Sequence, residues 1–139
     1  METKSEAEML EFGKKFAENI TLPSVIELVG DVGAGKTTFT RGLAKGLGVK
    51  EDITSPSFTI SKRYHFKKDG KDCTLVHYDF YRLPDPGIMR EEIAETMSDP
   101  NSLVVIEWGE SVANLLPKKH QIVEIRLKDD GSRECLSRP

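Results

Sequence analysis

Long hydrophobic runs are missing from this chain. No apolar stretch approaches the ~20 residues that a membrane span needs. The opening segment, METKSEAEMLEFGKK, has no apolar core of a signal peptide. Together these absences exclude a helical membrane protein and make a cytoplasmic location the expectation. Cysteine is scarce: Cys73 and Cys135 lie too far apart for any metal-binding spacing. In a reducing compartment they read as packing residues. Basic excess is missing too. The net charge is −3, whereas a protein that grips nucleic acid unaided usually carries a basic face. A local cluster at Lys62, Arg63, Lys67, Lys68 and Lys71 reads as a solvated hairpin tip. Repeats, low-complexity stretches and interdomain linkers do not occur. The 139 residues, 37% hydrophobic and 31% charged, suit one soluble domain with one core over residues 1–139.

What is present centres on Val25–Thr38, VIELVGDVGAGKTT. An apolar run ends at Gly30, and G-x-x-x-x-G-K-T follows, the pattern of a phosphate-binding loop. Glycines let the backbone curl so that successive N–H groups face phosphate oxygens. Lys36 adds a cation for the β- and γ-phosphates, and the Thr37 hydroxyl suits Mg²⁺. A helix beginning here aims its positive dipole end at the same anion. Phe39, Leu43 and Leu47 recur every four residues behind the loop, as a core-facing helix requires. Asp31, Val32, Gly33, Ala34, Gly35, Lys36, Thr37 and Thr38 are therefore the candidate nucleotide-binding residues.

Around this loop the elements read in order. Ser5-Glu6-Ala7-Glu8 has the form of a capping box. Met9, Phe12, Phe16 and Ile20 then predict a helix from Glu6 to Asn19. A strand over Ser24–Leu28 and a helix over Lys36–Leu47 flank the loop, with Gly46 and Gly48 as helix stops. Thr54-Ser55-Pro56-Ser57-Phe58 is rich in hydroxyls and held extended by its proline. Thr54, Ser55 and Ser57 lie where a switch segment of nucleotide hydrolases reaches back to the γ-phosphate, although an ordinary polar turn has the same composition. Phe58–Phe66 and Cys73–Phe80 read as antiparallel strands around an Asp69-Gly70 turn.

Period-two geometry puts His77, Asp79 and Tyr81 on one face of the second of these strands. An acid at a strand's carboxyl end, downstream of a phosphate loop, is placed to serve Mg²⁺. Asp79 fits that role; His77 could be functional or a half-buried packing imidazole. Asp85-Pro86 reads as a helix start, with Met89, Ile93 and Met97 on one face. Asp99-Pro100-Asn101 is a turn. Leu103–Ile106 is continuously apolar, as a buried central strand would be, and delivers Glu107 and Trp108 at its carboxyl end. Ser111–Leu115 could make one helical turn. Gln121–Leu127 alternates as a half-exposed strand, Asp129-Asp130-Gly131 turns, and Glu134–Ser137 could return as an edge strand.

Taken together, GDVGAGKTT (Gly30–Thr38), TSPSF (Thr54–Phe58), HYDFYRL (His77–Leu83) and VIEWGE (Val105–Glu110) closely resemble the TsaE (YjeE) family, over about Glu6 to Leu127. The resemblance implies a P-loop NTPase-type three-layer α/β/α sandwich with a mixed, partly antiparallel central sheet. It implies ATP or ADP with Mg²⁺, and an ATPase that is weak alone. It also implies the tRNA threonylcarbamoyladenosine (t6A) pathway. There TsaD transfers the threonylcarbamoyl group to the adenosine beside the anticodon, and ATP hydrolysis resets a complex of TsaB and TsaD. Contact with tRNA is then indirect, through that complex, and no membrane is involved. Lys36 and Thr37 match the family's loop lysine and Mg²⁺ threonine, Asp79 the acid of its H-x-D-x-Y-R-L motif, and Glu107 and Trp108 its E-W pair. Ser57 stands where many relatives have Thr, and Glu8 likewise. Beyond Leu127 the match is loose.

The expected site is thus Lys36, Asp79 and Glu107 as catalytic groups and Thr37 as a Mg²⁺ ligand. Asp79 or Glu107 stands near the metal, directly or through water. Trp108 lies by the nucleotide. Glu107 is the expected water-positioning group, because no glutamine lies near the loop to take that part. Two rivals share the loop: a small-metabolite kinase, and a non-catalytic adaptor whose partner binding depends on nucleotide.

Overall fold

A computed structural model describes residues 2–30, 35–53, 61–80, 89–108, 113–118 and 120–138. The elements are β1 (Glu2–Thr3), α1 (Glu6–Glu18), β2 (Ser24–Val29), α2 (Lys36–Leu47), β3 (Ser61–Lys68) and β4 (Lys71–Asp79). They continue with α3 (Met89–Ser98), β5 (Ser102–Glu107), β6 (Gln121–Leu127) and β7 (Arg133–Arg138). Residues 113–115 form a short 3₁₀ turn, within the one-turn segment read from the sequence.

The strands form one sheet in the order β1-β7-β6-β2-β5-β4-β3. The inner strands β6, β2, β5 and β4 run parallel. The β3–β4, β6–β7 and β1–β7 pairs are antiparallel. This is the mixed, partly antiparallel sheet that the sequence leads one to expect.

Apolar side chains alternate across the sheet and make two cores. Ile26, Leu28, Leu75, Leu103, Val105, Val123 and Ile125 pack beneath Met9 and Ala17 of α1 and Phe39, Leu43 and Ala44 of α2. Val76, Tyr78, Val104 and Ile106 pack on the other face with Ile93, Met97, Leu115 and Leu116. The result is three layers, α1 and α2 on one side and α3 on the other. Every residue of β5 is buried, which explains why its sequence is a continuous apolar run rather than an alternating one.

Helices α1 and α2 pack unusually close. A Cβ on Gly13 would lie 2.4 Å from the Phe39 carbonyl oxygen, and one on Gly42 would lie 2.2 Å from that of Leu10. One on Gly46 would lie 2.7 Å from both Ala17 Cβ and the Lys14 carbonyl oxygen. Gly46 is therefore a packing residue inside α2, not a helix stop. Gly48 alone ends the helix, in the left-handed conformation (φ 87°), with its N–H returned to the Ala44 and Lys45 carbonyls.

At the other end of the chain, Ser5 caps α1 by accepting from the Glu8 N–H at 3.1 Å. The β3–β4 hairpin turns at Asp69 (φ 54°) and Gly70 (φ 78°), two left-handed residues in a row as a tight hairpin loop requires. The ladder runs right up to that turn. Lys67, Lys68 and Lys71 are thus strand residues, paired with Asp72, Lys71 and Lys68, and the strands reach closer to the turn than hydrophobicity predicts. The segment 133–138 returns as a strand, but it is not the edge: Glu2–Thr3 pairs outside it. Two residues are too short to leave an alternation signal in sequence. Leu127, in the same alternation phase of β6 as the buried Val123 and Ile125, is 60% exposed at the strand's last position. Cys73 and Cys135 are both buried, as packing residues should be. The expected helix start at Asp85-Pro86, and residues 58–60 of the predicted β3, lie outside the described residues.

Candidate functional site

The site lies where the parallel strands end and α2 begins. Strand β2 leads into Gly30, and Gly35, in a left-handed conformation (φ 106°), opens α2 as its N-cap. No L side chain adopts that backbone cheaply. Asp31, Val32, Gly33 and Ala34, between them, lie outside the described residues, as do Thr54, Ser55, Ser57 and Tyr81.

Lys36 is the first residue of α2 and is only 6% exposed. A buried ammonium needs partners, and among the described residues it has three. It donates to the Gly30 carbonyl at 2.7 Å. Its Nζ lies 3.7 Å from Glu107 Oε1, and 4.1 Å from the centroid of the Trp108 ring, over its face. Lysine, loop end and strand end are thereby tied together. Thr37 and Thr38 follow, half-buried in the first turn of the helix.

Glu107 ends β5 and is 4% exposed. Its Oε2 lies 2.5 Å from His77 Nε2, and His77 is fully buried on β4. Because side chains alternate, Leu75, His77 and Asp79 of β4 share the α1/α2 face with Leu103, Val105 and Glu107 of β5. Asp79 is half-buried and stands opposite Glu107 in the parallel register. The Phe80 N–H donates to the Glu107 carbonyl at 3.1 Å, so the two strand ends are held level. Trp108, immediately after, takes a left-handed backbone (φ 58°) that bulky residues rarely adopt. That turn is what brings its ring to Lys36.

The structure thus gathers four of the sequence-derived site residues, Lys36, Asp79, Glu107 and Trp108, with Thr37 at the start of α2. Two neighbours were not assigned from sequence. The sequence leaves the role of His77 open; its period-two phase with Asp79 is the available signal. Arg133 had no signal. Its Cδ and Nε lie 3.4 Å from where a Cβ of Gly35 would be, an approach set by the pairing of β7 far along the chain.

Among the described residues no three His, Cys, Asp or Glu side chains converge as a metal cage. Mg²⁺ is commonly held by one or two protein oxygens together with substrate phosphates. Thr37 and Asp79 could supply those oxygens, and the buried cation at a helix start suits the phosphates.

A parallel strand, a glycine-bounded loop, a helix opening on Lys36-Thr37 and acids on the neighbouring strand ends define an α/β protein of the P-loop NTPase type. Residues 3–135 match the family model described as threonylcarbamoyl adenosine biosynthesis protein TsaE. The chain belongs to the TsaE family. It is 42% identical over 111 residues to a protein of Treponema pallidum, covering 80% of this chain and 78% of that one. It is 37% identical over 131 residues to one of Haemophilus influenzae, covering 91% and 80%. Both relatives are named tRNA threonylcarbamoyladenosine biosynthesis protein TsaE. The crystal structure of Bacillus subtilis YdiB superposes with a TM-score of 0.76 at 30% identity, covering 97% of this chain and 80% of that one. The family match runs past Leu127 into β7, further than the motifs alone reach. No helix among the described residues is long and apolar enough to cross a membrane.

Proposed function

We propose that residues 1–139 work as one Mg²⁺-dependent ATPase domain in t6A biosynthesis, acting in the cytoplasm with TsaB and TsaD and meeting tRNA only through them. The observation that carries this reading is the buried Lys36 at the start of α2, set against the buried Glu107 with Asp79 in register beside it. The names of the relatives support the pathway.

In this reading the backbone of Gly30–Thr38 binds the phosphates and Lys36 turns its ammonium to them. Thr37 and Asp79 hold Mg²⁺, which when bound neutralises charge on the phosphates. Glu107 positions the attacking water through Oε1, the oxygen that faces Lys36. Phosphoryl transfer asks for positioning and charge neutralisation more than for covalent chemistry, and this set supplies both. Trp108 covers the Lys36 side and keeps the ammonium close to the loop.

The test is steady-state phosphate release by the chain alone and with purified TsaB, TsaD and tRNA, while any phosphorylated product is followed. Release that rises with the partners supports the reading. Saturable ATP binding without turnover under every condition would leave a nucleotide-dependent adaptor, and a phosphorylated small molecule would mean a kinase.

A further inference from the structure

We infer that His77 is a positioning residue that holds Glu107 in place when Lys36 leaves it for a phosphate. The inference rests on the ATPase reading for what Glu107 does, but not for the contact itself.

Among the described residues Glu107 has two partners of opposite character. Lys36 is the looser one, at 3.7 Å from Oε1, and it is shared with the Gly30 carbonyl and the Trp108 ring. His77 is the tighter one, at 2.5 Å from Oε2, on a rigid and fully buried strand position. The other ring nitrogen, Nδ1, is buried and has no hydrogen-bond partner among the described residues. A proton on Nδ1 would be stranded there, so the hydrogen-bond pattern assigns the ring proton to Nε2, which donates to Glu107. The ring proton is thus committed to Glu107.

A phosphate arriving at the loop competes for Lys36. Once Lys36 swings to it, the carboxylate loses its nearby cation, and a buried carboxylate left without partners is strongly disfavoured. The Nε2–H remains. It holds Oε2 and leaves Oε1 on the side of Lys36, where a water would be met. Without His77, binding a phosphate would mean breaking the contact with Lys36, the remaining partner of Glu107 among the described residues, so nucleotide affinity would suffer before any chemistry began.

The test compares Mg·ATP affinity by calorimetry in the full chain for His77→Leu, His77→Gln and Glu107→Gln, and for His77→Leu combined with Glu107→Gln. Unfolding by urea is followed for the same proteins. The Gln amide nitrogen can stand where Nε2 stands. We expect His77→Leu to weaken ATP binding about tenfold, as loss of one charge-assisted hydrogen bond would. His77→Gln should stay within about threefold of the wild type. In the Glu107→Gln background the leucine should cost little further affinity. A residue that merely fills the core would lose the same affinity in both backgrounds and would not be rescued by Gln, and either result overturns the proposal. If the wild type binds ATP but never turns it over, the ATPase reading falls and the affinity comparison still decides the role of His77. If the wild type binds no ATP, that reading falls as well, and the urea cycle decides. Stability losses that are non-additive between positions 77 and 107 uphold the contact, and additive ones overturn it.

Discussion

Asp79 and Glu107 stand opposite one another at the ends of adjacent parallel strands, yet they are not equivalent. Glu107 is buried between Lys36 and His77, whereas Asp79 is half-buried. Two carboxylates in different surroundings suit different work. Asp79→Asn should raise the Mg²⁺ concentration needed for half-maximal turnover about tenfold, with nucleotide affinity in the absence of Mg²⁺ unchanged. Glu107→Gln should keep ATP binding and lower turnover on the order of a hundredfold, the scale of a lost proton-handling group. Phosphate release in the presence of TsaB and TsaD measures both. Normal hydrolysis by Glu107→Gln would remove Glu107 from the chemistry.

Lys36 makes its prediction through charge. Lys36→Ala should weaken ATP binding between about tenfold and a hundredfold, the range expected for losing hydrogen bonds to charged oxygens. Lys36→Met should behave alike, because it keeps the stem and loses the ammonium. Calorimetric titration with ATP checks this. If Lys36→Met binds like the wild type, the ammonium does not reach the phosphates.

Much of this arrangement was legible in the sequence, for identifiable reasons. The strand and helix that flank the Gly30–Thr38 motif, the continuous run Leu103–Ile106 and the Asp69-Gly70 turn are local signals, and each lies where it was read. The position of Glu107 followed from the end of that run. Its partner did not: His77 lies thirty residues away, and pairing of β4 with β5 is what joins them. Arg133 reaches Gly35 only because β7 folds back on β6. Gly46 looked like a helix stop because composition cannot tell a terminating glycine from one that a second helix presses against.

The helix pair α1–α2 separates those two uses of glycine. At Gly42 a methyl group would meet the Leu10 backbone oxygen at 2.2 Å, and backbone cannot step aside cheaply. At Gly48 a methyl would meet nothing within 4 Å, and only the positive φ resists it. Gly48→Ala should therefore cost about 1 kcal/mol, the usual scale for a left-handed position. Gly42→Ala should cost more, about 2–3 kcal/mol, as overpacking does. Urea unfolding ranks the two; equal losses would mean that the helices can part without penalty.

Stability at high pH follows from two buried acids that are neutral in the fold. Burial raises the Tyr78 phenol above its ordinary 10.0, opposed by its hydrogen bond to Thr96. Burial likewise raises the Cys135 thiol above 9.0. Below these values both groups are protonated in folded and unfolded chains, so they add no pH dependence. As pH climbs past 9.0 the unfolded thiol ionises and the folded one resists, and past 10.0 the phenol does the same. The unfolded state then holds fewer protons, so stability falls as pH rises, by at most about 1.4 kcal/mol per pH unit for each group. The urea midpoint should hold steady toward pH 9 and decline above it. Cys135→Ala should delay the onset toward pH 10, and Tyr78→Phe should flatten the later part. A midpoint that rises with alkali would show that burial of these groups does not govern the alkaline limb.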